Sequence, residues 1–326
     1  MSTGASAEID PQLGSAPEDA TQIAARSPLQ LFWRRLRRDK VALVALGFIG
    51  FICVIALLAG PITEALGRPD PNAQRPDLLD DFGQPSGPTG ENWFGVDQRG
   101  RDVFTRVLYG AQVSLQVALI ATLFAVAIGV VVGLLAGYYR GWVDTLLART
   151  MDLMLAFPVL VLAIGIGVAC GSREGCDLGF ITIEPGLKVV IFVITISTWP
   201  YMARIVRGQV LSLREREFVE AARSLGASDT RIVFREILPN LVAPIIVYAT
   251  VLVPQTILFE AALSFLGVGV DVNQPSWGQM IADAIDVFDI AWWFMTFPGL
   301  ALLLTVLAFN IVGDGLQDAL NPRTSK

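Results

Sequence analysis

Side chains that could perform acid–base, nucleophilic or metal chemistry are few and scattered in this sequence. Histidine, the commonest general base and metal ligand, is absent. The P-loop pattern G-x-x-x-x-G-K-[ST] does not occur, so the chain does not bind ATP in that way. The spacing of the remaining residues gives no nucleophile–base pair, no paired-carboxylate site and no metal-ligand cluster. We therefore expect a protein that is not an enzyme and that holds no metal or cofactor of its own.

The most distinctive residues lie in one polar stretch, 204–239, between two strongly apolar runs. This stretch contains seven arginines and five acidic residues. Phe218, Ala221, Ala222 and Leu225 recur within it at i, i+3, i+4 and i+7. That spacing predicts one apolar stripe along a short amphipathic helix.

A glycine is predicted to join this helix to a second short one. Gly226 stands where a helix commonly ends in a left-handed conformation, which glycine adopts without strain. Ser228 or Asp229 can cap the second helix. Pro239 has no N–H to continue the helical ladder, so we expect the second helix to stop there. The segment is therefore interpreted as two short helices at a membrane surface.

The order of residues in this stretch resembles the "EAA" loop of permease subunits in ABC importers. The residues that carry the resemblance are Glu220, Ala221, Ala222, Gly226, Leu238 and Pro239. In that family the loop forms coupling helices, here at 213–239, which dock in a groove on a cytoplasmic ATPase. The resemblance implies that these residues couple the chain to the ATPases and that ATP is bound by those partner subunits.

The composition defines the class of protein that positions these residues. The chain has 326 residues, of which 53% are hydrophobic, and its mean hydropathy is +0.57. Several apolar runs of about 20 residues predict an all-α membrane protein. The net charge of −6 gives no indication of nucleic-acid binding, because the charges are segregated along the chain.

Six spans are predicted, at about 41–62, 113–139, 146–169, 189–203, 241–265 and 292–312. Pro158 lies inside the third and is expected to kink it. Residues 1–27 are predicted to be a disordered cytoplasmic tail. Residues 28–105 hold the first span and an external loop, and residues 106–326 form the core permease domain with five spans.

The distribution of basic residues predicts the orientation in the membrane. They cluster at 34–40, at 140–149, at 204–235 and at the carboxyl end, all on the same side of a six-span chain. Since basic residues favour the cytoplasmic side, both ends are expected to be cytoplasmic. The loop at 63–105 is then external.

Some polar residues lie inside the apolar runs. Glu260 has two interpretations. In the first it faces a water-filled path or a partner subunit, and in the second it is a buried carboxylate hydrogen-bonded to neighbouring hydroxyls and backbone. Thr195, Ser197 and Thr198 either line the path or make hydrogen bonds between helices. Both interpretations stay open at this point.

Small residues and cysteines give two further expectations. Gly129, Gly133 and Gly137 recur every four residues, which predicts close approach of another helix, within the subunit or at a subunit interface. Cys170 and Cys176 flank a short outer loop, where a disulfide and two free thiols are both compatible with the sequence.

Further stretches extend the resemblance over about residues 28–325. Residues 93–104 match a motif common in C-type permease subunits of dipeptide and oligopeptide importers, and are expected to form a folded loop and a short helix at the outer surface. The resemblance implies a type I ABC importer fold in a bacterial inner membrane. The implied partners are a homologous second permease, two ATPases, an extracytoplasmic solute-binding protein and the lipid bilayer. The alternatives are a nickel or glutathione importer of the same family and a stand-alone secondary transporter.

Overall fold

The computed structural model describes residues 28–170, 175–177, 179, 182–269 and 274–320. The predicted tail at 1–27 lies outside the described residues. The helices in chain order are α1 Pro28–Leu36, α2 Lys40–Leu57, α3 Ala59–Ala65, α4 Val103–Tyr139, α5 Gly141–Ala156, α6 Val159–Cys170, α7 Leu187–Leu213, α8 Glu217–Ser224, α9 Asp229–Arg231, α10 Leu238–Phe265, α11 Trp277–Ala284 and α12 Trp292–Leu320. Two short strands, β1 Cys176–Asp177 and β2 Thr182–Ile183, pair antiparallel.

Among the described residues, five continuous helical stretches are long and apolar enough to cross a membrane: α2, α4, α7, the stretch from α9 through α10, and α12. The pair α5–α6 adds a sixth crossing if it spans as one unit. The bend predicted at Pro158 is present, but it is a break between two helices that meet at 90° and not a kink within one helix. Phe157 between them is extended (φ −83°, ψ 139°), as expected for a residue that precedes a proline.

Helix α4 starts at Val103, ten residues before the predicted span, because Asp102 caps it. The Asp102 carboxylate accepts hydrogen bonds from the Thr105 amide at 2.9 Å and the Thr105 hydroxyl at 2.7 Å. The separate short helix expected in this motif is therefore wrong. The motif is instead the loop that ends in the cap of the longest helix.

The outer loop is held by a buried ion cluster centred on Asp97. Its carboxylate accepts a hydrogen bond from Arg101 Nε at 2.6 Å and lies 3.7 Å from Arg106 Nε. Arg106 is fully buried and donates to the Pro71 carbonyl at 3.0 Å. Trp293 on α12 donates to the Val96 carbonyl at 3.1 Å. The loop is thus tied to the outer end of the helical core.

The centre of the molecule is the contact between α4 and α7. A Cβ atom added at Gly129, Gly133 or Gly137 would lie 2.6–2.7 Å from atoms of α7, namely Met202 Cβ, the Ala203 carbonyl and Val210 Cβ. These glycines therefore pack within the subunit, which is the first of the two expected uses. Closer approach of the two backbones is possible only because no side chain intervenes.

Helix α7 continues ten residues beyond the predicted span, where Val206 and Val210 are buried against α4 and α5 supplies carboxylates for its arginines. Arg207 donates to both Asp144 oxygens, at 2.5 and 2.9 Å, and Arg204 donates to Asp152 at 2.6 Å. The Arg207–Asp144 pair is bidentate and partly buried, which fixes its geometry, whereas the Arg204–Asp152 pair is a single exposed contact. The extension carries α7 directly into the arginine-rich stretch.

The β1–β2 hairpin follows α6. Cys170 and Cys176 form a disulfide, so the structure selects the first of the two alternatives for this pair. Cys53 is a free thiol.

Candidate coupling and transport site

The end of α8 has the hydrogen-bond pattern of a Schellman motif. The Ala227 amide donates to the Ala222 carbonyl and the Gly226 amide to the Arg223 carbonyl, both at 3.0 Å. Gly226 has φ +79°, the left-handed conformation predicted from the sequence. No atom lies within 4 Å of a Cβ added there, so backbone conformation alone restricts this position.

The apolar stripe predicted along α8 is divided between two sides of the helix. Val219 is fully buried, and Ala222 packs with it against the core. Ala221, Phe218 and Leu225 are exposed, Leu225 by 87% of its surface. Helix α8 therefore has a buried apolar side and an exposed apolar side. No described residue covers the exposed side. Phe218, Ala221 and Leu225 together form an exposed apolar patch on one helix, and a contiguous patch of this kind is typical of an interaction surface.

Glu220 lies on the exposed part of α8, close to this outer surface. It has no ion pair with any residue that the structure describes. Glu217 is also exposed, so the first turn of α8 carries two solvated carboxylates at the positive end of the helix dipole.

Polar contacts to the inner end of α4 position α8. Arg214 donates to the Gly137 carbonyl at 3.4 Å and also to that of Tyr138. Glu215 pairs with Arg140 and lies 3.7 Å from Arg214 Nε. Partial burial lowers the pKa of the Arg214 guanidinium from its ordinary value and Arg140 lowers it further, whereas Glu215 opposes them. The loop before α8 is therefore attached to the end of α4.

The helix after Gly226 begins as predicted but does not end as predicted. Ser228 caps it, accepting from the Arg231 amide at 3.4 Å, and Tyr138 donates to Asp229 at 2.6 Å. Helical backbone then passes through a π-helical stretch, Ile232–Ile237, into α10. The predicted stop at Pro239 is wrong. The π-helical stretch shifts the hydrogen-bond pattern, so the missing Pro239 amide falls in the first turn of α10, where it costs least.

The structure brings the two ends of the coupling motif together. Ala222 and Leu238 belong to one apolar cluster with Val219, Ile232 and Ile237. Pro239 is exposed at the start of α10. The six motif residues thus surround the junction between α8 and the α9–α10 stretch.

Glu260 is fully buried where α4, α10 and α11 meet. It accepts hydrogen bonds from Ser264 at 2.8 Å and Ser114 at 3.2 Å. The Ser114 hydroxyl in turn accepts from the Trp277 amide at 3.2 Å. These contacts fit the second interpretation, in which Glu260 is a buried carboxylate hydrogen-bonded to hydroxyls. A role for Glu260 in transport stays a prediction.

The three hydroxyls predicted near a path lie in different surroundings. Thr195 is buried and donates to the Ala121 carbonyl on α4 at 3.4 Å. The buried Ser197 hydroxyl has no hydrogen-bond partner among the described residues. Thr198 donates to the Ile194 carbonyl at 2.7 Å within its own helix and lines a groove.

This groove, of about 490 Å³, is lined by α6, α7 and α10. Thr198 is among its lining residues, and it holds three polar side chains that the sequence analysis did not select: Gln255, Tyr201 and Thr256. Gln255 is exposed within an apolar spanning helix, and Tyr201 is 46% exposed. An amide facing lipid lacks hydrogen-bond partners, so an exposed Gln255 indicates water, solute or a partner subunit. A lone glutamine in an apolar run was the only signal in the sequence.

The five to six apolar helices in the described part of the chain define an integral membrane protein. The chain belongs to the family described as "Binding-protein-dependent transport system inner membrane component", which matches residues 129–326. Residues 27–84 match the "N-terminal TM domain of oligopeptide transport permease C".

Curated relatives resemble nearly the whole chain. The dipeptide transport system permease protein DppC of Alkalihalophilus pseudofirmus is 41% identical over 307 residues, 94% of this chain and 93% of the relative. The glutathione transport system permease protein GsiD of Escherichia coli O157:H7 is 42% identical over 298 residues, 91% of each chain. A putative peptide transport system permease protein of Brucella abortus is 43% identical over 298 residues, 91% of this chain and 93% of the relative.

The fold is similar to that of a solved transporter. A chain of the MetNI methionine ABC transporter, in an inward-facing conformation, matches with a TM-score of 0.53 and 20% identity. The match covers 66% of this chain and 96% of the other. At this identity the likeness concerns the fold alone.

Proposed function

We propose that this chain is one of two permease subunits of an ATP-driven importer of short peptides. The observation that supports the proposal most directly is the exposed apolar side of α8, formed by Phe218, Ala221 and Leu225. It is apolar, exposed and held at a fixed angle by the Schellman turn at Gly226. Such a surface fits a groove on a second protein, and the family to which the chain belongs implies an ATPase there.

In this mechanism the chain performs no chemistry of its own. Two cytoplasmic ATPases bind and hydrolyse ATP, and their closure moves α8. Because α8 is attached to α4 through Arg214 and Tyr138, its displacement is transmitted to the α4–α7 pair. The homologous second permease completes the path, and a solute-binding protein delivers the solute from outside.

Peptides are the proposed solute class because the curated relatives described above are named for dipeptides, peptides and glutathione. The groove with Gln255, Tyr201 and Thr198 supports this assignment. It combines apolar walls with neutral hydrogen-bonding groups, which suits the amides and varied side chains of a short peptide. We place the translocation path along this groove, with Thr198 on its wall.

The coupling assignment is tested by Leu225→Asp in the complete importer. The charge should weaken ATPase copurification at least tenfold, because it removes an apolar contact and places a carboxylate in the interface. Phe82→Asp is the matched control, since Phe82 is also 87% exposed but lies in the outer loop. Normal ATPase copurification with Leu225→Asp, or equal losses in both variants, would contradict the assignment. Glu220→Lys tests the neighbouring charge in the same assay.

The solute class is tested separately by uptake. Vesicles containing the importer and its binding protein should accumulate a labelled dipeptide, with labelled glutathione and nickel(II) as competing candidates. Uptake of nickel alone would reject the peptide assignment while leaving the coupling assignment intact.

A further inference from the structure

Cations are exposed where the first span begins, and the proposed transport mechanism makes no use of them. Trp33 and Arg34 are exposed on one side of α1, and Arg37, Arg38 and Lys40 are exposed immediately after it. Lys40 is also the first residue of α2, an apolar helix long enough to span a membrane. The group therefore lies within about two helical turns of the start of this apolar helix.

The opposite side of α1 is already used for packing. Leu36 is buried in a cluster with Ala42 of α2 and Ala319 of α12, and Phe32 packs against the same cluster. The apolar residues of α1 thus fix the helix to the ends of α2 and α12. This contact leaves the side with Trp33 and Arg34 facing outward.

The protein itself does not neutralise this outward side. Arg34, Arg37, Arg38 and Lys40 form no ion pair with any residue in the described part of the chain. The nearest carboxylate in sequence, Asp39, caps α2 by accepting from the Val41 and Ala42 amides at 3.0 Å each. Basic residues at 34–40 number five, which exceeds the three carboxylates of Asp39 and of Asp314 and Asp318 on α12.

The side chains on this surface are those typical of the headgroup region of a membrane. Trp33 is 47% exposed, and the Arg37 guanidinium carbon lies 5.1 Å from the centre of its ring. Tryptophan is enriched at the membrane–water boundary, and arginine binds phosphate through several N–H donors. A signal that only sets orientation requires basic residues near the span, but not their exposure on one side of a packed helix.

We propose that this surface binds the phosphate groups of anionic phospholipids in the leaflet where α2 begins. Arg34, Arg37 and Arg38 supply the donors and the charge, and Trp33 inserts its ring among the headgroups. The bound lipids hold α1 against the bilayer and, through Leu36, stabilise the end of α12. The proposal is independent of the solute and of ATPase binding.

The test uses the complete importer reconstituted in phosphatidylcholine with spin-labelled phosphatidylglycerol as the probe. The wild type should associate with the anionic probe more strongly than with spin-labelled phosphatidylcholine. The Arg34→Gln/Arg37→Gln/Arg38→Gln variant should lose this preference at least about fivefold, since each cation near an anionic surface contributes on the order of 1 kcal/mol. The Arg→Lys variant of the same three positions should keep most of it. Raising the salt concentration should weaken the wild-type preference, which tests the proposal even if the triple variant inserts poorly.

Charge removal elsewhere provides the matched control. The Arg99→Gln/Arg149→Gln/Lys188→Gln variant has the same change in net charge at exposed positions away from α1 and should keep the preference. Equal preferences in the wild type and the first variant would overturn the proposal. The proposal would also be overturned if the protein preferred the anionic probe only after the acidic residues in 1–27 had been neutralised. In that case the chain's own amino-terminal segment, and not lipid, would occupy the basic surface.

Discussion

At the residue scale, Gly226 is restricted by its backbone conformation and not by its surroundings. Valine there should cost about 1–2 kcal/mol, because a β-branched residue is strained at φ +79° although space is available. We expect Gly226→Val to insert and pair with the second permease but to reduce ATPase copurification and uptake, because α8 and α9 lose their relative orientation. Both quantities are measured on the same preparation.

Gly208 provides the control for this substitution. A Cβ added there would also meet open space, but this glycine lies within α7 with no positive φ. Gly208→Val should leave ATPase copurification and uptake near wild-type values. If both valine variants behave alike, the left-handed turn is not what matters at Gly226.

Glu260 has a different prediction because its partners are internal. Glu260→Gln should change uptake less than about twofold, since the amide oxygen can still accept from Ser264 and Ser114. Glu260→Leu should lower stability by about 1–3 kcal/mol, because buried hydroxyls lose their acceptor. Thermal stability and uptake are compared for both. Reduced uptake by a fully stable Glu260→Gln protein would assign the carboxylate to the transport path.

Gln255 is expected to act on the solute. Gln255→Leu should raise the KM for peptide uptake about fivefold, which corresponds to the loss of about one hydrogen bond. Assembly and ATPase copurification should stay normal, because Gln255 is exposed in the groove and not in the core. Gln317→Leu, at an exposed position near the end of α12, is the control. An unchanged KM would remove Gln255 from the path.

At the scale of elements, the close contact between α4 and α7 determines stability. Gly133→Ala should lower it by about 1–3 kcal/mol, because the new Cβ would lie 2.7 Å from the Ala203 carbonyl and from Val206 Cβ. Gly47→Ala on α2 is the matched control, since nothing lies within 4 Å of a Cβ added at that position. Thermal unfolding of the complex in detergent measures both. Equal melting temperatures for the two variants would contradict close packing at Gly133.

The break between α5 and α6 and the continuity at Pro239 show that a proline has no single structural meaning. Pro158 forces Phe157 into an extended conformation, and the chain turns by 90°. Pro239 follows a π-helical stretch that moves the missing amide to the start of α10, and the helix continues. Both residues are prolines, and the backbone hydrogen-bond pattern that precedes each one decides whether the helix breaks or continues.

At the scale of the whole molecule, the orientation in the membrane is the remaining prediction. Cysteines placed at Asp81 and Ser224, both exposed, report on opposite sides of the membrane. In a Cys53→Ser background, an impermeant thiol reagent added to intact cells should label position 81 only. Labelling at position 224 would reverse the orientation and would place α8 out of reach of a cytoplasmic ATPase.

The sequence alone determined the class of protein and predicted the position of the proposed coupling site. Apolar runs define membrane helices because the hydrocarbon core requires internal hydrogen bonding, and this rule is independent of tertiary contacts. The turn at Gly226 and the cap at Ser228 were predictable because both depend on a few neighbouring residues. The identity of the EAA-like stretch was likewise local.

Only the tertiary structure decided which faces are buried and how far the helices extend. Periodicity placed Ala222 and Leu225 on one stripe, but the position of the core divides them, with Ala222 inward and Leu225 exposed. Helix α7 extends beyond its predicted span, where Val206 and Val210 pack on α4 and Asp144 and Asp152 lie opposite Arg207 and Arg204. Such pairings join residues more than 50 positions apart, so no local sequence pattern predicts them. They stabilise the helices only after the helices have packed together.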